Sequence, residues 1–187
     1  MTNIASRRNV LLAVGVAVLV GLLAITSAAT ARSADVAAAE AVATQAFRAE
    51  HELGNLPGSA AKGPMEAATR TAMIQHADTV LRGLFTGKAL ASDLDSIPTA
   101  IANEGTDNGI YIWDGGVSKL DVLSSVVIDD TATVVLRATA YLVLSRTIDS
   151  ERSRPENTAD VTLGLLKQGG RWLVATEEVA FLPGQAP

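Results

Sequence analysis

Apolar residues along this chain first run unbroken, then recur with the period of a helix, and finally alternate. From Asn9 to Ala31 there is no charged residue, and the span LLAVGVAVLVGLLAI is almost wholly aliphatic. Asp35 to Leu53 is alanine-rich, with Val36, Ala39, Ala43, Phe47 and Leu53 near one side, which predicts a helix that stops at Gly54. Gly58 to Gly63 reads as a small-residue connection. Pro64 suits the first turn of a second helix reaching about Phe85, with Met65, Ala72, Met73, Val80 and Leu84 as its stripe. A third helical stretch spaces Leu90, Leu94, Ile97 and Ile101 along one face, and Pro98 is expected to kink or divide it.

After a loop from Asn103 to Gly109 the period changes to two. Ile110 to Trp113 predicts a short strand ended by Asp114-Gly115-Gly116, and Leu120 to Ile128 a longer one ended by Asp129-Asp130. From Ala132 the alternate positions Val134, Leu136, Ala138, Ala140, Leu142 and Leu144 face a core, while Arg137, Thr139, Tyr141 and Ser145 take the other face. A charged loop from Asp149 to Asn157 leads to a strand carrying Ala159, Val161, Leu163 and Leu165. Gly169-Gly170 then turns the chain into a last strand, Arg171 to Leu182. Helices first and an antiparallel meander afterwards predict an α+β fold, with N-terminal helices packed on one face of a curved antiparallel sheet, preceded by one transmembrane helix.

The apolar N-terminus explains a positive mean hydropathy of +0.27 in a chain that is 19% charged. As a helix, residues 9–31 reach about 34 Å, enough to cross a hydrocarbon core of roughly 30 Å. Arg7 and Arg8 precede this segment, so residues 1–8 are expected in the cytoplasm and residues 32–187 outside it. Ser6-Arg7-Arg8-Asn9-Val10-Leu11-Leu12 resembles a twin-arginine export motif, and Ala29-Thr30-Ala31 has the form of a cleavage site. The apolar run from Val10 to Ile25 is longer than a usual signal core, which favours a retained signal-anchor over cleavage after Ala31. The expected location is the bacterial cytoplasmic membrane, single-pass, or the exterior if the segment is cut.

Setting Arg7 and Arg8 aside leaves 13 basic residues against 20 acidic ones, a formal charge of −7 on the exported part. An acidic surface repels phosphate backbones, so nucleic acid is not an expected partner. The chain has no cysteine, which removes disulfides, thiolate metal sites and cysteine nucleophiles.

The order of helices and strands, and above all the C-terminal hairpin TADVTLGLLKQGGRWLVATEEVAF with its glycine turn, Trp172 and Val174, resembles the nuclear transport factor 2-like superfamily. That is the cone-shaped, cystatin-like α+β roll shared with ketosteroid isomerases and polyketide-cyclase-like proteins. Single-span exported members, such as mammalian-cell-entry-associated membrane proteins and periplasmic subunits of conjugation and type IV secretion machines, are similar in layout. The superfamily hosts enzymes, binding modules and scaffolds, so the resemblance leaves function open.

Candidate chemistry centres on three residues. Glu177 and Glu178 are adjacent in the last strand, so a regular strand sends them to opposite faces and they cannot form a dyad. The register of Leu173, Ala175, Val179 and Phe181 brings Glu177 inward; that of Trp172, Val174, Ala180 and Leu182 brings Glu178; a β-bulge can place both outward. His76, spaced from Met73 and Val80, falls along the apolar side of the second helix, where it can look into the cone or serve as a core-margin histidine bonded to backbone. His51, between Glu50 and Glu52, reads as part of a solvated charge cluster, and Tyr141 as a surface contact. Two histidines without an HExxH pattern provide no transition-metal site, Asp107, Asn108 and Asp114 do not match a calcium loop, and no phosphate loop or nucleophile elbow occurs. No metal and no cofactor is expected.

Two function classes are consistent with these residues. The first is a membrane-tethered, noncatalytic interaction or assembly module of the bacterial cell envelope, such as an accessory subunit of a transport or secretion system. Its partner is another envelope protein, or a second copy through a sheet-mediated dimer. The alternative is a small enzyme or apolar-ligand binder of the ketosteroid isomerase or polyketide cyclase-like type, using the cone interior with His76 and one of the two glutamates.

Overall fold

The computed structural model describes residues 33–56, 65–104 and 110–185. The expected transmembrane segment 9–31, the tail 1–8, Pro64 and the cluster at Asp107 and Asn108 lie outside them. Among the described residues no helix is long and apolar enough to cross a membrane. The chain divides into two units between Ala37 and Ala38, and the sheet with its helical layer belongs to the second, Ala38–Pro187.

Three helices, α1 (33–52), α2 (Ala67–Leu84) and α3 (Gly87–Asn103), precede four strands, β1 (Tyr111–Ile128), β2 (Thr131–Ser145), β3 (Glu156–Gln168) and β4 (Arg171–Phe181). The strands form one antiparallel sheet in sequence order, β1-β2-β3-β4. The class expected from the periodicity is therefore the class observed, α+β with helices packed on an antiparallel sheet.

Tight turns set the order. Gly169 and Gly170 both have positive φ, 57° and 78°, the conformation a two-residue hairpin needs to match strand twist, and they bring Gln168 opposite Arg171. At the β1–β2 turn Asp129 takes φ 52°, so that Ile128 faces Thr131. The core lies where the inner faces of β2 and β3 meet: Val134 opposite Leu163 and Leu136 opposite Val161, all fully buried. The helical contribution includes Ala39, Ala43, Ala46 and Phe47 of α1, whose three- and four-residue spacing makes one buried stripe.

Three expectations change. The Asp114-Gly115-Gly116 segment does not end a strand; β1 runs through it, with register shifts between Ile112 and Asp114, Val117 and Lys119, and Val122 and Ser124. Gly115 is there because the end of α1 presses on the sheet: a Cβ would lie 3.0 Å from Asn55 Oδ1 and 3.1 Å from the His51 carbonyl oxygen, while Asn55 Nδ2 donates to the Gly115 carbonyl at 2.9 Å. Pro98 lies inside a single α3 and does not divide it. The buried stripe of α2 is Ala77 and Leu81, continued by Phe85 just beyond its end, not the stripe through Ala72. Phe85 fixes that choice, because it bridges to Val174 and the next amide, Thr86 N–H, donates to the Val174 carbonyl at 2.7 Å.

Candidate functional site

The inner wall of the sheet changes size along its length. On β2 it reads Val134 and Leu136 and then Ala138 and Ala140; on β3, Val161 gives way to Ala159, the register partner of Ala138. Where the side chains shrink, the wall recedes and leaves a pocket of about 390 Å³. Phe47, Glu50 and His51 of α1 line one side, and Glu177, Val179 and Phe181 of β4 another.

β4 supplies Glu177 through a register shift. Leu165 pairs with Val174 but Gly164 pairs with Thr176, so Ala175 is an extra residue, a β-bulge. Before the bulge, Trp172 and Val174 are buried; after it, Glu177 is opposite Leu163, Val179 opposite Val161 and Phe181 opposite Ala159. The strand thus uses both registers in turn. Glu177 is half-buried inside the pocket, and Glu178, paired with Thr162, is exposed.

Glu177 meets two other carboxyls. Glu50 follows Phe47 by three residues and Ala46 by four, so it shares the buried side of α1. Asp93 follows Ala89 by four in α3 and is only 7% exposed. Glu50, Asp93 and Glu177 together line a cleft of about 420 Å³ that abuts the pocket, since Glu50, Glu177 and Val179 border both. Burial, then the charges of Glu177 and Asp93, push the Glu50 carboxyl up to about 9. Burial also raises Glu177, assisted by Asp93 and opposed by a hydrogen bond from Glu50, and it raises Asp93 to about 6. With both glutamates ionised, Glu50 Oε2 is buried without a donor; with a proton on Glu50 the two carboxyls share a hydrogen bond. Burial and the neighbouring carboxyls thus favour the neutral acid form of Glu50 beside Glu177.

His51 is not a solvated charge. It is half-buried, its ring centroid lies 4.3 Å from that of Phe47, and its Nδ1–H donates to the Phe47 carbonyl at 2.9 Å. Burial lowers its pKa, with that hydrogen bond acting the other way, so the ring is neutral at pH 7. Tyr141 borders the same pocket; its hydroxyl donates to Asp114 Oδ2 at 3.1 Å and its ring carries the Arg154 guanidinium at 4.1 Å.

The structure separates His76 from the glutamates. It precedes Ala77 of the buried stripe by one residue, a turn of about 100° around the helix, and is exposed. It lines a different groove, about 570 Å³, with Glu52, Asn55 and Met73 among its walls. Glu50 and Asp93 were not among the residues singled out from the sequence, although both stand at core-facing helical spacings. Among the described residues no group of three His, Cys, Asp or Glu could hold a metal ion.

The fold and site define an α+β domain with an apolar pocket bounded at one end by buried carboxyls. No protein-family model matches the sequence, and comparison with curated proteins gives no match. Among solved structures, the intermembrane space region of the chloroplast protein ARC6 is similar at a TM-score of 0.46 and 16% identity, over 63% of this chain and 98% of that one. A Xanthomonas campestris protein assigned as a calcium/calmodulin dependent protein kinase II association domain is similar at a TM-score of 0.32 and 14% identity, over 64% of this chain and 91% of that one. Likeness at these scores carries no argument about what this chain does.

Proposed function

We propose that the domain is a noncatalytic binding module for one small, largely apolar molecule, held between α1 and the inner face of the sheet. The carrying observation is the change from Val134 and Leu136 to Ala138 and Ala140, which opens about 390 Å³ beside Phe47 and Phe181. Pockets of this size and lining, with few polar groups at one end, are what small-molecule sites use. The neutral Glu50 acid and Glu177 provide those polar groups. In this reading the domain is a roll of the nuclear transport factor 2-like kind, presented outside the bacterial membrane by residues 9–31. Isothermal titration of 4-phenylbutanol into the full-length chain tests it: saturable binding is expected, lost in Ala140→Phe, which fills the pocket. Binding that survives the filled pocket overturns the reading.

A second reading concerns self-association, and rests on the opposite face of the sheet. Val126, Ile128 and Leu166 share that face through Thr133 and Thr131, and Ile128 is 62% exposed. A patch of this composition favours a sheet-mediated dimer of this chain. Sedimentation of Ile128→Asp is expected to show a lighter species than wild type; identical sedimentation removes the dimer.

A further inference from the structure

We infer that the ligand of the pocket carries an ammonium group, seated between Glu50, Glu177 and Asp93, while its hydrocarbon part lies along Phe47, Val179 and Phe181. This deepens the binding-module reading and rests on it.

Three elements each bring one carboxyl to the cleft beside the pocket, Glu50 from α1, Asp93 from α3 and Glu177 from β4, and the two glutamates border the pocket as well. Among the described residues none of the three joins the ion pairs Arg82–Asp78, Lys119–Asp121, Arg137–Asp160 and Arg154–Glu156. Asp93 makes the point independently of the cluster. Asp93 lines the cleft, yet its side chain is buried and its Oδ2 has no hydrogen-bond donor. A buried acceptor without a donor is costly, and such groups in folded proteins call for an explanation.

The other charged groups facing the cluster do not provide one. Lys88, in the first turn of α3, lines the outer cleft but is exposed and forms none of the bonds above. His51 is neutral and its Nδ1–H is taken by Phe47. Glu178 adds a further negative group at the rim of the cleft. An ammonium supplies the missing donors: three N–H bonds in a compact cation, one for each carboxyl.

Seating the cation has a proton balance. The neutral Glu50 acid gives up its proton to solvent as the ammonium arrives, the hydrogen bond to Glu177 is exchanged for N–H bonds to both carboxylates, and no covalent bond forms. One proton is released for each amine bound at pH below the raised pKa of Glu50.

The test compares 4-phenylbutylamine with 4-phenylbutanol, matched in shape and differing in the polar head. Both are titrated calorimetrically into the full-length chain in nanodiscs, with empty nanodiscs as blank, in buffers of different ionisation enthalpy. The amine is expected to bind about tenfold or more tighter at pH 8, to release about one proton, and to gain affinity from pH 6 to 9. Asp93→Asn, which lies outside the apolar pocket, is expected to weaken the amine and leave the alcohol unchanged, which also shows that it folds, and Glu177→Gln is expected to weaken the amine more than the alcohol. Glu50→Gln is expected to abolish proton release. If the alcohol binds as tightly as the amine, or the amine is indifferent to all three variants, the cation seat is overturned while the pocket stands. If neither probe binds, the binding-module reading fails with it.

Discussion

Glu177 stands opposite Leu163 in the β3–β4 ladder, and it does so only because Ala175 is inserted between the Leu165–Val174 and Gly164–Thr176 pairs. The insertion gives neighbouring glutamates different surroundings. Glu178→Gln is expected to be nearly neutral, within about 0.5 kcal/mol, as for other exposed positions. Burial raises the folded pKa of Glu177 above its unfolded value, so its stabilising contribution is complete below the unfolded pKa and is lost as pH rises through the folded one. Glu177→Gln lacks that loss. Thermal melts from pH 5 to 9 should show Glu177→Gln gaining on wild type as pH rises while Glu178→Gln runs parallel to it; two parallel variants would place both side chains in solvent.

Glu50 should dominate the pH dependence of stability. Its pKa rises from 4.5 to about 9, so the sign is the same: full stability below about pH 4.5, and progressive loss up to about pH 9 as the unfolded chain gains an ionisation that burial withholds from the folded state. Wild type is expected to melt several degrees lower at pH 9 than at pH 5, a domain of this size losing roughly 2–4 °C per kcal/mol. Glu50→Gln keeps the volume and a donor to Glu177, and is expected to flatten most of that slope. An unchanged slope in the variant would show that Glu50 ionises freely.

These groups differ in how far the sequence betrays them. The alternation of Val134, Leu136 and Ala138 states the inner face of β2 outright, and all three are buried. Glu50 is equally legible in principle, since it continues the spacing of Ala43 and Phe47; its neighbours Glu52 and His51 disguise it as surface charge. Asp93 is hidden differently: the larger residues Leu90, Leu94 and Ile97 suggest a stripe, but Ala89, Asp93 and Ile101 are the buried line. The inward choice of Glu177 is not legible at all, because Trp172, Leu173, Val174 and Ala175 are all buried and neither register is excluded by polarity. A bulge is a tertiary decision. Gly115 misleads for the same reason, since a glycine required by close approach has the same letter as one required by a turn.

A carboxyl away from the pocket tests whether burial alone makes a site. Glu104 is 3% exposed at the end of α3; its Oε1 accepts from the Ile112 N–H at 2.9 Å, and burial raises its pKa to about 7 against the opposing effects of that bond and of Arg70. It pins β1 to α3 and does not line the pocket. Glu104→Gln preserves the acceptor and should gain on wild type as pH rises from about 4.5 to about 7, with no further gain above that. Glu104→Ala leaves the Ile112 amide without its acceptor and is expected to cost about 1–3 kcal/mol at any pH. Denaturant titrations at pH 6 and 8 separate the two; equal loss in both variants would mean that packing, not the hydrogen bond, holds the junction.

Export is tested on the whole chain. A reporter fused after Pro187 should be active only outside the cytoplasm, and membrane fractions should hold the full-length protein, because residues 9–31 are long enough to span. A soluble protein beginning at Arg32 by mass spectrometry would show cleavage after Ala31, and activity of a cytoplasm-only reporter would end the topology altogether.

Close approach at Gly115 makes the last prediction. The added methyl of Gly115→Ala meets Leu142 Cδ2 at 2.9 Å, Asn55 Oδ1 at 3.0 Å and the His51 carbonyl oxygen at 3.1 Å. Leu142 can rotate away; the His51 carbonyl belongs to the helix and cannot. Relief therefore requires the end of α1 to lift from β1, which lengthens the 2.9 Å bond from Asn55 to Gly115. Overpacking of this kind costs about 1–3 kcal/mol. Because His51 and Leu142 also line the pocket, the same movement should weaken binding of 4-phenylbutanol. Glycine at the neighbouring position is the control: a methyl on Gly116 meets only the Tyr141 ring, at 3.5 Å and beyond, so Gly116→Ala should leave both stability and binding close to wild type. Equal effects of the two substitutions would mean that the contact between α1 and β1 is not what requires glycine there.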